Sequence, residues 1–341
     1  MELQKSRREF IKTAAIAGAG LGFLGQPYLS FGNTSAPKGK RVGIIGLDTS
    51  HSIAFTKALN AEKPEAALKG YRVVAAYPFG SKTIESSFKR IDGYTEDMKK
   101  MGVEIVSSIA ALLKKVDVVM LETNDGRLHL EQALPVLKAR KRLFIDKPIA
   151  ASLKDTKAIF DASIKYKTPL FSSSSLRYID NLASLRDGSL LGKLTGADAF
   201  SPASLESTHP DLLWYGIHGV EILYTIMGVG CESVVRVHNP NTDIVVGTWA
   251  DGRIGTYRGL RSGKTGYGGT VFGEKGQAAI GKYNGYIPLL YEIVNFFETG
   301  IAPVAPEETT EIVAFIEAAD ESKRQNGAPV KISDIKRRAG I

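Results

Sequence analysis

The chain has 341 residues, a formal charge of +8, and an apolar content of 43% with 23% charged residues, the balance of a soluble globular protein. Cys231 is its only cysteine, which excludes an intrachain disulfide and any zinc-type cysteine spacing. No basic helix or RNA-type aromatic signature accompanies the positive charge, and Lys336-Arg337-Arg338 reads as a solvated tail, so nucleic acid is not an expected partner.

The N-terminus carries Ser6-Arg7-Arg8-Glu9-Phe10-Ile11-Lys12, followed by an uncharged alanine- and glycine-rich run over 13–25. An arginine pair before a short, weakly hydrophobic stretch reads as a twin-arginine export signal. The stretch is too short and too glycine-rich for stable membrane insertion, which takes about 20 strongly apolar residues. Thr34-Ser35-Ala36 supplies small residues for cleavage, so 1–36 is set aside as signal and linker. The expectation is a periplasmic protein, delivered folded by the twin-arginine machinery, commonly with a cofactor inside.

From there, strands and helices alternate. Strands are expected at 41–45, 71–77, 116–121, 142–145 and 169–173, and helices at 52–61, 109–114, 128–139 and 153–166. The apolar run over 116–121 is typical of an interior parallel strand. This predicts an α/β fold whose first domain, 37–174, is a Rossmann-type doubly wound parallel sheet that binds NAD or NADP. Past Arg177 the pattern changes to strands at 194–200, 234–238, 242–249, 255–261 and 269–272, with helices at 212–227, 289–299 and 307–324. Asp251-Gly252 marks a hairpin turn between two of these strands. The second domain, 175–341, is therefore expected to be α+β, on a large open, mostly antiparallel sheet that serves the substrate and oligomerisation.

The first strand–helix turn runs Gly46-Leu47-Asp48-Thr49-Ser50-His51. A dinucleotide turn wants glycine at its first, third and sixth positions, so that backbone amides can approach a pyrophosphate. Here those positions hold Gly46, Asp48 and His51. A carboxylate about 4 Å from a phosphate charge would cost about 4 kcal/mol at an effective dielectric near 20. Asp48 must then point away, cap the helix with Thr49 or Ser50, or the cofactor must bind differently. The second strand ends without the usual ribose-binding carboxylate, and Ser81-Lys82 beside it leans towards a 2′-phosphate.

Phe144-Ile145-Asp146-Lys147-Pro148 closes a further strand, and with it the chain resembles the Gfo/Idh/MocA oxidoreductases, whose motif here is Glu-Lys-Pro. Leu176-Arg177-Tyr178, Asp187 to Lys193, Gly216-Ile217-His218 and Phe272-Gly273-Glu274-Lys275-Gly276 match later steps of that family in order and spacing. The resemblance implies that Lys147 lies beside the nicotinamide and the substrate hydroxyl, and that His218 is the acid/base group. It implies cofactor contacts from Gly46, Asp48, Thr49, Ser50, His51, Ser81, Lys82, Thr123, Asn124, Asp146 and Arg177. Arg127 and His129 of the same loop as Asn124 are further candidates.

Where family dehydrogenases carry an aspartate one turn before the histidine, this chain has Trp214. Glu221, one turn after, could orient His218, and His209, Trp214, Tyr215 and Glu221 are candidate substrate contacts. No ligand spacing supports a metal. The expected function is an oxidoreductase acting on a sugar or sugar-derived polyol. Because no free nicotinamide pool exists outside the cytoplasm, the cofactor must be restored within each cycle, by a second sugar or by redox-neutral glycoside cleavage. A cofactor-free carbohydrate-binding protein on the same fold is the alternative class. A homo-oligomer, dimer or tetramer, is expected from the open sheet and from the resemblance.

Overall fold

The computed structural model describes residues 39–341, so the stretch read as an export signal, with its expected cleavage site, lies outside the described residues. The first half is built from β1 (Arg41–Ile45), α1 (Ser50–Leu59), β2 (Arg72–Tyr77), α2 (Glu85–Lys100), β3 (Glu104–Ile105), α3 (Ile109–Leu113), β4 (Val118–Leu121), α4 (His129–Lys138), β5 (Leu143–Asp146), α5 (Leu153–Tyr166) and β6 (Leu170–Ser173). Its six strands pair in the order β3-β2-β1-β4-β5-β6, all parallel. The order reverses at β1, between β2 and β4, and ligands of open α/β sheets bind at such a switch point.

Alternation along each strand divides two apolar layers. Gly43 and Ile45 of β1 face one side, with Leu143 and Ile145 of β5, while Val42, Ile44 and Phe144 face the other. Sequence periodicity does not reveal α2 and β3. The helix buries only Ser87 and Met98 of its sixteen residues, and the strand has two residues, so neither leaves an apolar stripe.

The second half adds α6 (Leu182–Arg186), β7 (Leu194–Pro202), α7 (Asp211–Trp214), α8 (Ile217–Met227), β8 (Cys231–Asn239), β9 (Thr242–Trp249), β10 (Ile254–Leu260), β11 (Gly268–Gly273), β12 (Gly276–Ala279), α9 (Ile287–Thr299), α10 (Pro306–Arg324), β13 (Val330–Lys331) and α11 (Ile332–Arg338). Its sheet runs β12-β11-β7-β10-β9-β8-β13, antiparallel except for the β7–β10 pair. The hairpin at Asp251-Gly252 forms as the sequence indicates, with Gly252 at φ +85°.

Two features differ from the sequence reading. The helix expected over 212–227 is broken at Tyr215-Gly216 into α7 and α8. Glycine is required there because α8 lies close on β10: a Cβ at Gly219 would sit 2.2 Å from the Tyr257 ring, and one at Gly216 would sit 3.0 Å from the Leu212 carbonyl oxygen. The C-terminal basic run, read as a solvated tail, forms α11, and Lys336 Nζ donates to Glu311 Oε2 at 2.9 Å. All of α8 is buried beneath the second sheet and α10, whereas α9 returns to the first sheet, where Phe296 meets Phe171 at 4.9 Å.

Candidate active site

The C-terminal ends of β1, β4, β5 and β6 open on one crevice, and each delivers a polar side chain. Asp146 ends β5, with Lys147 next in the chain, and Glu122 follows β4. His51 stands in the first turn of α1, and its Nδ1 lies 2.9 Å from Asp146 Oδ2. One ring nitrogen of His51 and one carboxylate oxygen each of Glu122 and Asp146 lie within 4.8 Å of one another. Burial pushes the Asp146 carboxyl up, but the adjacent His51 and Lys147 charges outweigh it and hold it below the usual carboxylate range. Burial, then the Asp146 charge, push Glu122 well above that range against the pull of Lys147. Both Glu122 oxygens, Asp146 Oδ1 and the Thr123 hydroxyl are buried without a hydrogen-bond partner.

His218 comes to the same place from α8, and Lys147, His51 and Asp146 are its electrostatic neighbours. Burial first, then repulsion from Lys147 and His51, lower its pKa well below the ordinary imidazole value. Its Nδ1 lies 2.7 Å from Ser174 Oγ, which also accepts the Leu176 N–H at 3.1 Å. Ser174, which the sequence reading missed, therefore orients the imidazole. Glu221 does not. Its carboxylate takes Arg177 Nε at 2.7 Å and the Ser173 hydroxyl at 3.2 Å.

Arg177 is likewise no cofactor contact, because its other side pairs with Glu308 at 2.6 Å and the whole guanidinium is buried. Burial opposes the charge, yet the Glu221 and Glu308 carboxylates more than compensate and raise its pKa further. This triad joins the segment after β6 to α8 and α10.

A tyrosine wall closes the site. His51 packs on Tyr286 at 4.5 Å between ring centroids, Tyr286 on Tyr283 at 6.3 Å, and Tyr283 on Tyr267 at 5.8 Å. Tyr267 reaches His218 at 6.1 Å and shares a 3.0 Å hydroxyl contact with Tyr215, which itself lies 5.0 Å from His218. Of these tyrosines the sequence reading named only Tyr215. The others sit in irregular chain between β10 and α9, where no periodicity marks them.

On the β2 side, Asp48 takes the first of the alternatives the sequence left open and points away rather than capping α1. Its carboxylate accepts the N–H groups of Ser81 and Asn124, both at 3.0 Å, tying the loop after β2 to the loop after β4. Burial outweighs those bonds and lifts its pKa to about 6. Ser81 is fully buried and donates its hydroxyl to Asp125 at 2.8 Å, so it does not face a 2′-phosphate as expected. Asn124 turns its amide to Ser87, and His129 links the carbonyls of Thr123 and Ile149 as a structural residue. Lys82 remains exposed and, with Arg127, Tyr77, Phe79 and Gln132, lines a cavity of about 660 Å³.

His209 reaches towards the same loops, its Nε2 3.5 Å from Asp125 and its ring 5.0 Å from Trp214. It is thus set apart from the Lys147–His218 centre, on the Asp125 side. Thr49 starts α1 without a side-chain cap, its hydroxyl is orphaned, and Ser50 beside it is exposed.

These features suit a dinucleotide. The uncapped start of α1 offers its free N–H groups and the Thr49 hydroxyl to a pyrophosphate, and the positive φ of Gly46 (+89°) brings the turn against Thr123, where a Cβ would sit 2.4 Å from the hydroxyl. The Asp48 carboxylate, the feature that argued against a phosphate, is committed to the Ser81 and Asn124 amides.

Comparison with known proteins agrees. Residues 12–173 match the model of the Gfo/Idh/MocA family, described as an oxidoreductase family with an NAD-binding Rossmann fold. That stretch, just under half of the chain, is thus similar to the NAD-binding Rossmann domain of this oxidoreductase family. Among solved structures, a probable dehydrogenase from Thermotoga maritima superposes with a TM-score of 0.71 at 21% identity, covering 86% of this chain and 99% of that one. Scyllo-inositol dehydrogenase from Lactobacillus casei, with bound NAD(H) and scyllo-inositol, gives 0.69 at 14% identity over 87% and 100% of the two chains. Myo-inositol dehydrogenase from the same organism, in complex with NAD(H) and myo-inositol, gives 0.68 at 15% over 85% and 96%. At such identities the likeness is one of fold. No curated protein matches the sequence.

Proposed function

We propose that the protein is an exported NAD(P)-dependent dehydrogenase of a sugar or sugar-derived polyol, with Lys147 and His218 at the reacting carbinol. The observation that carries this reading is the convergence of a buried, uncharged imidazole and a lysine under a tyrosine wall at the switch point of an NAD-binding sheet. The cofactor, when bound, supplies the hydride acceptor. Lys147 stabilises negative charge growing on the substrate oxygen. In the tautomer that donates Nδ1–H to Ser174, His218 has a bare Nε2 to accept the hydroxyl proton. The tyrosines exclude water and offer faces for the C–H groups of a sugar ring. The exposed Lys82 at the β2-side cavity suits a 2′-phosphate, hence NADP. The inositol dehydrogenases of like fold support a polyol substrate.

Outside the cytoplasm such an enzyme retains its cofactor and restores it each cycle, through a second sugar or through oxidation, elimination, hydration and reduction at one glycoside. The cofactor-free carbohydrate-binding alternative draws on one observation, the Asp48 clamp across the loops that flank the dinucleotide crevice. Denaturing the purified protein and measuring released nicotinamide separates the two. A near-stoichiometric yield is expected. Its absence, together with no binding of added NAD or NADP, overturns the dehydrogenase reading.

A further inference from the structure

The buried carboxylate of Glu122 has no role in the chemistry above. It is 0% exposed, and neither of its oxygens has a hydrogen-bond partner. An unpaired buried carboxylate is among the costlier things a fold can hold, and native structures seldom leave one without a reason. A second carboxylate oxygen, Asp146 Oδ1, is buried and unpartnered beside it, and the His51 ring completes the group. The three residues come from the ends of β4 and β5 and the start of α1, so the sheet itself brings them together.

We propose that His51, Glu122 and Asp146 form a binding site for one divalent transition-metal cation, of the Mn²⁺ or Zn²⁺ class. One imidazole nitrogen and two carboxylate oxygens within 4.8 Å of one another need only small side-chain adjustments to meet an ion at about 2.0–2.2 Å. A mixed nitrogen and oxygen set favours such ions over calcium, which prefers six to eight oxygens. Lys147 alone leaves the Glu122 oxygens without a hydrogen bond, whereas a cation satisfies Glu122 and Asp146 together. Three protein ligands leave coordination positions open, as in catalytic rather than structural sites. With Lys147 beside the two carboxylates and His218 beside His51 and Asp146, the open positions suit an oxygen ligand: a substrate hydroxyl, a vicinal diol or water. The inference rests on these side chains and not on the dehydrogenase reading.

The test uses the whole mature protein, stripped with a chelator and dialysed against MnCl₂ or ZnCl₂. Bound ion is measured by elemental analysis, and Mn²⁺ also by loss of its free EPR signal. One ion per chain is expected, together with broadening of the His51 and His218 imidazole NMR signals by Mn²⁺. Glu122→Gln, which keeps shape and removes charge, should weaken binding at least about a hundredfold, and Asp146→Asn similarly. Should Asp146→Asn fail to fold, Glu122→Gln and the wild-type broadening decide alone. No binding by the wild type at millimolar ion, or unchanged affinity in Glu122→Gln, overturns the proposal. Nicotinamide content, measured on the same samples, reports separately on the dehydrogenase reading.

Discussion

His218 is buried between Ser174, two aromatic rings and the Lys147 side of the crevice, and each of these bears on how it works. Because burial and the neighbouring cationic groups lower its pKa well below that of an ordinary imidazole, it stays neutral and able to accept a proton throughout the neutral range. Turnover should therefore be level from about pH 6 to 8, with its acid limb below the ordinary imidazole value near 6.5. A limb centred at that value would show that another base acts, or that the imidazole is solvated. Lys147→Ala and His218→Ala should each lose about a hundredfold or more in kcat, the usual scale for electrostatic and acid–base groups. The melting temperature of Lys147→Ala should move little, whereas His218→Ala also loses the Ser174 hydrogen bond and the tyrosine packing and should melt somewhat lower. Full activity of either variant would remove that residue from the chemistry.

Between elements, two buried polar joints set the geometry of the crevice. The Arg177–Glu221–Glu308 joint fixes the segment after β6 against α8 and α10, and so fixes the helix that carries His218. Arg177→Met leaves two buried carboxylates without their partner, which should cost about 3–5 kcal/mol in a denaturant titration. A loss below about 1 kcal/mol would mean that water replaces the guanidinium. The Asp48 clamp joins the loops after β2 and β4. Asp48→Gly removes the acceptor of one buried and one half-buried N–H group and should cost about 1–3 kcal/mol at acid pH. The sign of its pH dependence follows from the raised pKa. The folded chain holds the Asp48 proton up to about pH 6 while the unfolded chain releases it near 4, so this contribution is full below 4 and is lost as pH rises through 6. The gap between wild type and variant should therefore narrow from pH 4 to 7, and a widening gap would contradict the burial argument.

At the scale of the molecule, the second sheet has one face under α8 and α10 and another that exposes Phe200, Val237, Ile254 and Phe272. Apolar faces of this size usually meet a partner. We expect a homo-oligomer paired through this face. The double variant Val237→Glu, Ile254→Glu should shift its light-scattering mass to that of one chain, and a wild type already monomeric at micromolar concentration would refute the expectation. The twin-arginine reading concerns residues outside those described. Replacing Arg7 and Arg8 with lysine should hold the protein in the cytoplasm, and unchanged delivery would mean the N-terminus is something else.

The alternation of buried strands with amphipathic helices determined the parallel sheet, because each strand at the centre of such a sheet is apolar on both faces and is legible without its neighbours. The strand 242–249 and the Asp-Gly hairpin were legible for the same local reason, a two-residue period ended by a turn residue that tolerates positive φ. Lys147 and His218 could be singled out only through motifs standing in a familiar order. What the sequence left open was which polar groups meet. Arg177 and Ser81 looked available for a cofactor, yet tertiary contacts commit them to Glu221, Glu308 and Asp125. Ser174, Glu122 and the tyrosines at 267, 283 and 286 gave no signal, since each lies in irregular chain or at a strand end. His51, Glu122 and Asp146 are far apart in the chain and share no ligand spacing. The parallel sheet brings them within 4.8 Å because successive β-strands deliver their C-terminal ends to one edge, a juxtaposition that exists only once the strands have paired.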